Sequence, residues 1–401
     1  MSITMTTQWL RAMRVRFVRM VRMWRRIVPY CSITAVVLVS TLVLWSPFLL
    51  RLHSVGYVPL KTAATMLDVY SHWDGPLYII VAKTWYNLQH PLFNGTILGL
   101  NPSYFMAHFP LYPAFISVLA PFLGFLKSML LVPVLFSVLY ISLFYALLKK
   151  YNLTAQPLTL SLVAAFFTPR FFVVRSVGAP ETMFLFFMLA SLYFFMDKKY
   201  LYAGVLGALA VLTKSIGILL LAGYGLYALE QVIREKKLEW RWLWLGIMPL
   251  SLVGLFYFFF IQTGDFFAHF KSADNANLLL LPPFQVFNRA ARWVSTGWLE
   301  DIMLLYLFYG VSLYYLYQKK ILRPLFYVSA VFMFFVMSVQ HKDIARYSIP
   351  MLPGALIACE KLFTSKTFIV VSLLLLPALY FYAWNFMLEN RAPITDWAPF
   401  Q

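Results

Sequence analysis

The feature that most constrains this chain is its succession of apolar stretches long enough to cross a hydrocarbon core, which takes about 20 helical residues. Eleven such segments are legible, at roughly 28–50, 128–148, 156–169, 178–196, 200–213, 215–229, 243–262, 301–317, 323–339, 347–361 and 367–388. They predict an all-α polytopic membrane protein with about eleven transmembrane helices. Composition agrees. The 401 residues are 62% apolar and 12% charged, whereas a soluble domain is roughly half apolar and a quarter charged. Segments 200–213 and 215–229 are short for two full spans and read as a broken or re-entrant pair, protected by their neighbours.

The net charge of +18 is assigned to membrane topology rather than to nucleic acid, because Lys and Arg collect on cytoplasmic loops. Arg11, Arg14, Arg16, Arg19, Arg22, Arg25 and Arg26 interleave with apolar residues before the first span. Residues 1–27 are therefore expected to form a basic helix on an anionic leaflet, with no secretory signal peptide. The segment from His108 to Leu126 holds Pro110, Pro113 and Pro121. If it only dips into the outer surface, then Lys149–Lys150, Lys198–Lys199, Arg234 to Arg241, Lys319–Lys320 and Lys361/Lys366 all fall on the cytoplasmic side. The positive-inside rule favours that arrangement. All six histidines, with most of the acidic residues, then face outward. The long loops 51–127 and 263–300 and the tail 389–401 lie on that outer side, which is expected to be the working face of a single domain spanning 28–388. Cys31 and Cys359 offer neither a disulfide framework nor a metal spacing.

The loop 51–127 is the most informative. Asp68 is followed by Ser71-His72-Trp73-Asp74-Gly75-Pro76-Leu77-Tyr78. Trp73, Leu77, Ile80, Val81 and Trp85 recur at helical spacing, predicting an amphipathic helix in the membrane interface with Asp74 near its start. A carboxylate there has two readings: it caps the helix, or it accepts a proton from a hydroxyl nucleophile. Spacing alone leans toward the cap.

Trp73-Asp74-Gly75, then Tyr78, Ala82 and Tyr86, then His108-Phe109-Pro110-Leu111-Tyr112-Pro113 resemble the GPI mannosyltransferase 2 (PIG-V type) family. That family belongs to the GT-C glycosyltransferases, multispan enzymes using lipid-phosphate-linked sugars. The resemblance continues as islands at Ala179-Pro180-Glu181, at Leu212-Thr213-Lys214-Ser215-Ile216-Gly217 and at Arg346-Tyr347. Trp85 stands where the family has Gly, Lys214 where it has Arg, and Ile216 where it has Asn.

The resemblance implies a GT-C fold and an inverting transfer in which Asp74 is the general base and a polyprenyl phosphate is the leaving group. A single displacement needs one carboxylate and stabilisation of the phosphate, not the paired carboxylates of hydrolases. The outer-side cations are Arg170, Arg175, Lys214, Arg289, Arg292, Lys342 and Arg346. Arg suits a phosphate by its bidentate fork, and Arg346, beside an apolar span, leads. Lys214 follows, because an ionisable group between apolar half-helices is costly unless functional. Arg289 and Arg292 are candidates with an equally plain role as headgroup-facing loop residues. His72, Trp73, Tyr78, His108, Tyr112, Glu181 and Tyr347 complete the expected substrate site, although Glu181 also suits a helix N-terminus electrostatically. No cofactor is required. A divalent metal on His72, His108 and Asp74 stays open chemically, though no known metal motif is present.

The expected partners are a polyprenyl-phosphate-linked sugar donor, a lipid or glycan acceptor and membrane lipids, with no nucleic acid. The setting is a plasma membrane of prokaryotic type, or an ER membrane with a lumenal site in a eukaryote. The alternative is a transporter or flippase of lipid-linked sugars. It would share the spans and phosphate-binding cations, but would need no carboxylate base and would normally show repeat symmetry.

Overall fold

Capping residues and Pro169 mark breaks in the apolar sequence, and the breaks position the site. The computed structural model describes residues 2–60, 64–72, 74–94, 97–272, 281–288, 298–341 and 343–401, with side chains from residue 24 onward except that of residue 25. Helix α1 (Ser2–Leu49) joins the basic stretch and the first span in one helix, and a two-stranded hairpin, Ser54–Val55 with Val58–Pro59, follows. The first long loop then holds α2 (Met66–Tyr70), α3 (Asp74–Thr84) and α4 (Leu111–Leu123). The bundle continues through α5 (Phe125–Lys150), α6 (Pro157–Ala164), α7 (Pro169–Val174), α8 (Glu181–Met196), α9 (Tyr200–Thr213) and α10 (Leu219–Glu235). It closes with α11 (Ile247–Thr263), α12 (Ala268–Lys271), α13 (Leu299–Gln318), α14 (Arg323–Met337), α15 (Ile344–Tyr347), α16 (Leu352–Ala358), α17 (Glu360–Phe363) and α18 (Lys366–Glu389).

Among the described residues seven helices are long and apolar enough to span: Arg26–Leu49, Phe125–Lys150, Ser215–Glu235, Trp240–Thr263, Leu299–Gln318, Lys320–Met337 and Lys366–Glu389. Expected segments 178–196, 200–213 and 347–361 are shorter apolar helices, at Glu181–Met196, Tyr200–Thr213 and Ile344–Ala358. The segment 156–169 is not one span. Pro169 lacks the N–H needed to continue α6, and Thr168 caps α7 by accepting a hydrogen bond from the Phe171 amide at 3.3 Å. Lys214 adopts an extended conformation (φ −148°, ψ 138°) between α9 and the helical turn leading into α10, which produces the expected interruption. α4 has 13 residues, about 20 Å at 1.5 Å per residue, shorter than the hydrocarbon core. It turns at Gly124 (φ 78°) into α5, and Phe115 meets Phe136 across the resulting hairpin at 5.2 Å.

α3 differs from expectation. It is not amphipathic: Gly75 to Ala82 and Thr84 are all buried, against α4, α5 and the C-terminal tail. The reason is legible in hindsight. The face opposite the predicted apolar one holds Gly75, Tyr78, Ile79 and Ala82, so between Asp74 and Lys83 at its two ends the helix is apolar all round, and such a helix is buried.

Contacts sort the helix ends into two groups. At one end Lys150 pairs with Asp197, Tyr200 hydrogen-bonds Glu239, Arg323 pairs with Glu230 and Thr154 hydrogen-bonds Glu360. At the other end Asp68 pairs with Arg391, Asp74 and Glu181 with Arg346, and Arg170 with Asp343. The lysine-rich turns thus gather at the first end, and His72, His108, His269 and His341 at the second.

Candidate active site

The chain makes the site by letting two backbones touch. A Cβ on Gly178 would lie 2.8 Å from Gly75 Cα and 2.7 Å from Met129 Sδ, and one on Gly75 would lie 3.1 Å from Gly178 O. Only glycine at both positions brings the start of α3, carrying Asp74, against the turn before α8, carrying Glu181. The sequence reading missed Gly178, whose only signal is its place two residues before Pro180. Gly178→Ala is expected to cost about 1–3 kcal/mol of stability through overpacking and to lower turnover by prising Asp74 from Glu181. Thermal unfolding in detergent, measured beside turnover, checks both; an unchanged melting temperature contradicts the close approach.

Four charged side chains converge there. Arg346, on α15, places Nη2 2.5 Å from Asp74 Oδ2 and Nε 2.7 Å from Glu181 Oε1. Lys214 Nζ, from the break before α10, reaches the same Glu181 oxygen at 2.7 Å. The result is a chain Asp74–Arg346–Glu181–Lys214 drawn from four separate parts of the sequence. Exposure assigns different tasks to the two acids. Asp74 keeps 31% of its side chain accessible and Glu181 4%. Asp74 can therefore reach a ligand, while Glu181 holds the two cations from beneath.

Aromatic and imidazole rings form the wall beside Asp74. Tyr78 stands edge-on to His108 and to Tyr112, at 4.8 and 4.9 Å between centroids. The Tyr112 hydroxyl donates to the Met129 carbonyl at 2.6 Å, and the Tyr86 hydroxyl to the His108 carbonyl at 2.6 Å. Asn390 Nδ2 lies 3.3 Å from His72 Nε2. Among the described residues, His72 Nδ1 and Glu181 Oε2 are buried without a hydrogen-bond partner, which leaves hydrogen-bonding capacity beside the Asp74 carboxylate.

Burial favours the neutral form of Asp74, but the Arg346 guanidinium outweighs it and holds the carboxyl well below the ordinary carboxylate range. Burial first, and then the positive field of Arg346, lower both His72 and His108 to about 4. Both rings are neutral at physiological pH.

Of the sequence candidates, the structure brings together Asp74, Arg346, Lys214, Glu181, His72, His108, Tyr78 and Tyr112. Tyr347 packs against His341, with centroids 5.7 Å apart, one residue beyond Arg346. Trp73, Arg289, Arg292 and Lys342 lie outside the described residues. Two cations have other roles. Arg170 pairs with Asp343 at 2.5 Å and stacks on Phe386, 3.7 Å from its centroid, clamping the start of α15 to α7 and α18. Arg175 is fully buried and donates to Ala165 O, Thr41 Oγ1 and Ser40 Oγ. It ties α7 to α1 and is sealed from any phosphate. Among the described residues no three His, Cys, Asp or Glu side chains group to hold a metal.

The tail after α18, expected simply to lie outside the membrane, folds back onto the site. Ala392 N donates to Ser71 O at 2.7 Å, the Arg391 backbone bridges to His72, and the Arg391 side chain pairs with Asp68. The signal for it was the leftover acid Asp68 in one outer segment and the leftover Arg391 in another.

No family model matches the sequence, and no curated protein matches it. Among solved structures the chain is similar to ArnT from Cupriavidus metallidurans bound to undecaprenyl phosphate. The TM-score is 0.55 at 15% identity, over 86% of this chain and 62% of that one. The fold is of the GT-C type. The chain also aligns with the archaeal oligosaccharyltransferase AglB from Archaeoglobus fulgidus in complex with an inhibitory peptide and a dolichol-phosphate. There the TM-score is 0.48 at 13% identity, over 90% of this chain and 56% of that one. This chain spans less than two thirds of the length of either. Asp74 falls in the first long loop and Arg346 at the start of the penultimate apolar segment, Ile344–Ala358.

Proposed function

We propose that this chain is an inverting glycosyltransferase that moves a sugar from a polyprenyl phosphate to a hydroxyl of a lipid-linked or glycan acceptor at the non-cytoplasmic face of the membrane. The observation that carries the reading is Arg346 held between an accessible carboxylate, Asp74, and a buried one, Glu181, with Lys214 beside it. One base and two cations are what a single displacement from a phosphate needs. The undecaprenyl phosphate of ArnT supports the donor class. The Trp73-Asp74-Gly75 and Phe109-Pro110-Leu111-Tyr112-Pro113 islands, through their likeness to GPI mannosyltransferase 2, favour mannose as the sugar. The lysine-rich turns at the opposite end of the bundle favour an outward-facing site by the positive-inside rule.

In this mechanism the acceptor hydroxyl gives its proton to Asp74 as its oxygen attacks the anomeric carbon. The bond from that carbon to the phosphate oxygen breaks, and the phosphate leaves with the electron pair. Arg346 and Lys214 stabilise the charge that develops on it, the preorganised electrostatic contribution that commonly dominates. Without donor, Arg346 neutralises Asp74. An arriving phosphate competes for the same guanidinium and raises the Asp74 pKa toward its usual value, so the carboxylate becomes a better base only once a sugar is in place. The test is release of free polyprenyl phosphate from polyprenyl-phosphate mannose by purified protein with a mixed acceptor pool. Movement of the donor across the bilayer without such release would instead indicate a flippase.

The pH dependence has a defined sign. His72 and His108 have native pKa values near 4 against 6.5 when free. The unfolded chain therefore binds more protons than the native one between those values. Stability is fully present above about 6.5 and falls as pH drops toward 4, while Asp74 stays ionised throughout. kcat/KM is expected to hold its plateau down to about pH 5, below the unperturbed histidine range, while the melting temperature declines over the same interval. An acid limb centred near 6.5 would show that one histidine titrates freely.

A further inference from the structure

Arg346 is carried by α15, and α15 is a single turn of four residues, Ile344–Tyr347. A turn that short does not hold itself, because nucleation is the costly step of helix formation. Its anchor is Asp343, whose carbonyl accepts from the Arg346 and Tyr347 amides at 2.9 and 3.2 Å. We infer that Arg170 and Asp343 are positioning residues: their ion pair fixes the backbone of Arg346, so that its guanidinium stays aimed at the donor phosphate. The inference rests on the transferase reading above and adds what prepares its phosphate site.

Three observations carry it. The first is the direction of the Asp343 side chain. An aspartate at the N-cap of a helix ordinarily accepts a hydrogen bond from an amide of the first turn. Asp343 holds that position and, among the described residues, makes no such bond. Its Oδ1 instead accepts from Arg170 Nε at 2.7 Å and from Nη2 at 2.5 Å, across 173 positions of sequence. The two side chains are only 11% and 12% exposed, so salt and water screen the pair little.

The second observation is what stands behind Arg170. It lies on α7, which Thr168 caps and Arg175 ties to Ser40 and Thr41 of α1. Its guanidinium stacks on Phe386 of α18 at 3.7 Å. The clamp thus joins α15 to α7 and α18, which also pack on each other. The third is the division of holds on Arg346. Asp74 and Glu181 hold its guanidinium, and Asp343 holds its backbone. A phosphate that draws the guanidinium from Asp74 loosens the first hold and leaves the second. Misplacing a reacting group by about 1 Å can cost on the order of 10²-fold in rate, so the hold on the backbone decides how well the fork meets its ligand.

The experiment compares variants of the full chain in nanodiscs by melting temperature, by kcat/KM for polyprenyl-phosphate mannose and by binding of radiolabelled undecaprenyl phosphate. The double variant Arg170→Met, Asp343→Asn removes the pair without stranding a charge. It is expected to melt close to wild type, to bind undecaprenyl phosphate about tenfold more weakly and to lose about 10- to 100-fold in kcat/KM. The same two changes added to Arg346→Met, Glu181→Gln should alter neither quantity by more than about twofold, because residues that act through one group are not additive and no guanidinium is left to aim. Arg170→Lys keeps a charge on Asp343, and with it the fold, and should fall between wild type and the double variant. Wild-type binding in the folded double variant, or an equal loss in the Arg346→Met, Glu181→Gln background, overturns the assignment. Should the double variant not fold, wild-type binding and turnover in Arg170→Lys overturn it instead. If binding responds as described but wild type releases no polyprenyl phosphate, the transferase reading fails and the positioning of Arg346 on a phosphate stands.

Discussion

Asp74→Asn is expected to lower the release of polyprenyl phosphate by about 10²- to 10⁴-fold, the usual contribution of a positioned general base, while leaving the fold intact. The amide keeps the volume of the carboxylate and retains an oxygen toward Arg346, so the close approach of Gly75 and Gly178 survives. What is lost is the capacity to take a proton. The helix-cap reading predicts something different, a loss of about 0.5–2 kcal/mol of stability with turnover unaffected in the folded fraction. The structure already separates the two readings in part. Asp74 spends its Oδ2 on Arg346, a residue distant in sequence, and among the described residues no hydrogen bond ties it to the N-terminal amides of its own helix. Turnover per folded molecule, measured against the melting temperature, decides between them. A variant that melts like wild type and turns over like wild type removes the base.

The second large effect is expected at Arg346. Arg346→Met removes the guanidinium that stabilises the leaving phosphate, and the expected fall in kcat is about 10²- to 10³-fold. It also strands Glu181, whose side chain is 4% exposed, with Lys214 as its remaining cation. Breaking a buried pair on one side costs about 3–5 kcal/mol, so the single variant is expected to be both inactive and unstable. The double variant Arg346→Met, Glu181→Gln removes the uncompensated charge. It should recover most of the lost stability and none of the lost activity. Arg346→Lys should fall between, because an ammonium supplies charge without the fork that now spans Asp74 and Glu181. Recovery of turnover in the double variant would mean that Arg346 only balances Glu181 and takes no part in the chemistry.

Much of this arrangement is legible in the sequence, and the parts that are not have physical causes. Spans and their charged turns read directly, because hydrophobic length and Lys/Arg placement are local properties. Asp74, Arg346, Lys214 and Glu181 each stand out as ionisable groups beside apolar helices, where charge is costly. Their mutual pairing does not, since it depends on four segments meeting. The break at Thr168-Pro169 was written in a helix-capping pair within an otherwise apolar run, and length alone concealed it. In helix α3, Trp73, Leu77, Ile80, Val81 and Trp85 suggest one apolar face. The opposite face, Gly75, Tyr78, Ile79 and Ala82, carries no charge to keep it wet. The tail is the least legible part. Arg391 and Asp68 sit more than three hundred residues apart, and only the fold shows that each answers the other.

The central claim is that a donor phosphate is bound by Arg346 beside Asp74, at the end of the bundle opposite the lysine-rich turns. The most direct measurement is a structure of the full chain in nanodiscs with undecaprenyl phosphate. The account predicts phosphate oxygens within about 2.7–3.2 Å of the Arg346 guanidinium, with Lys214 close by and the prenyl chain running outward between helices into the bilayer. A phosphate seated instead among Lys149, Lys150, Lys198 and Lys199 at the opposite end, with Arg346 still locked between Asp74 and Glu181, would contradict it.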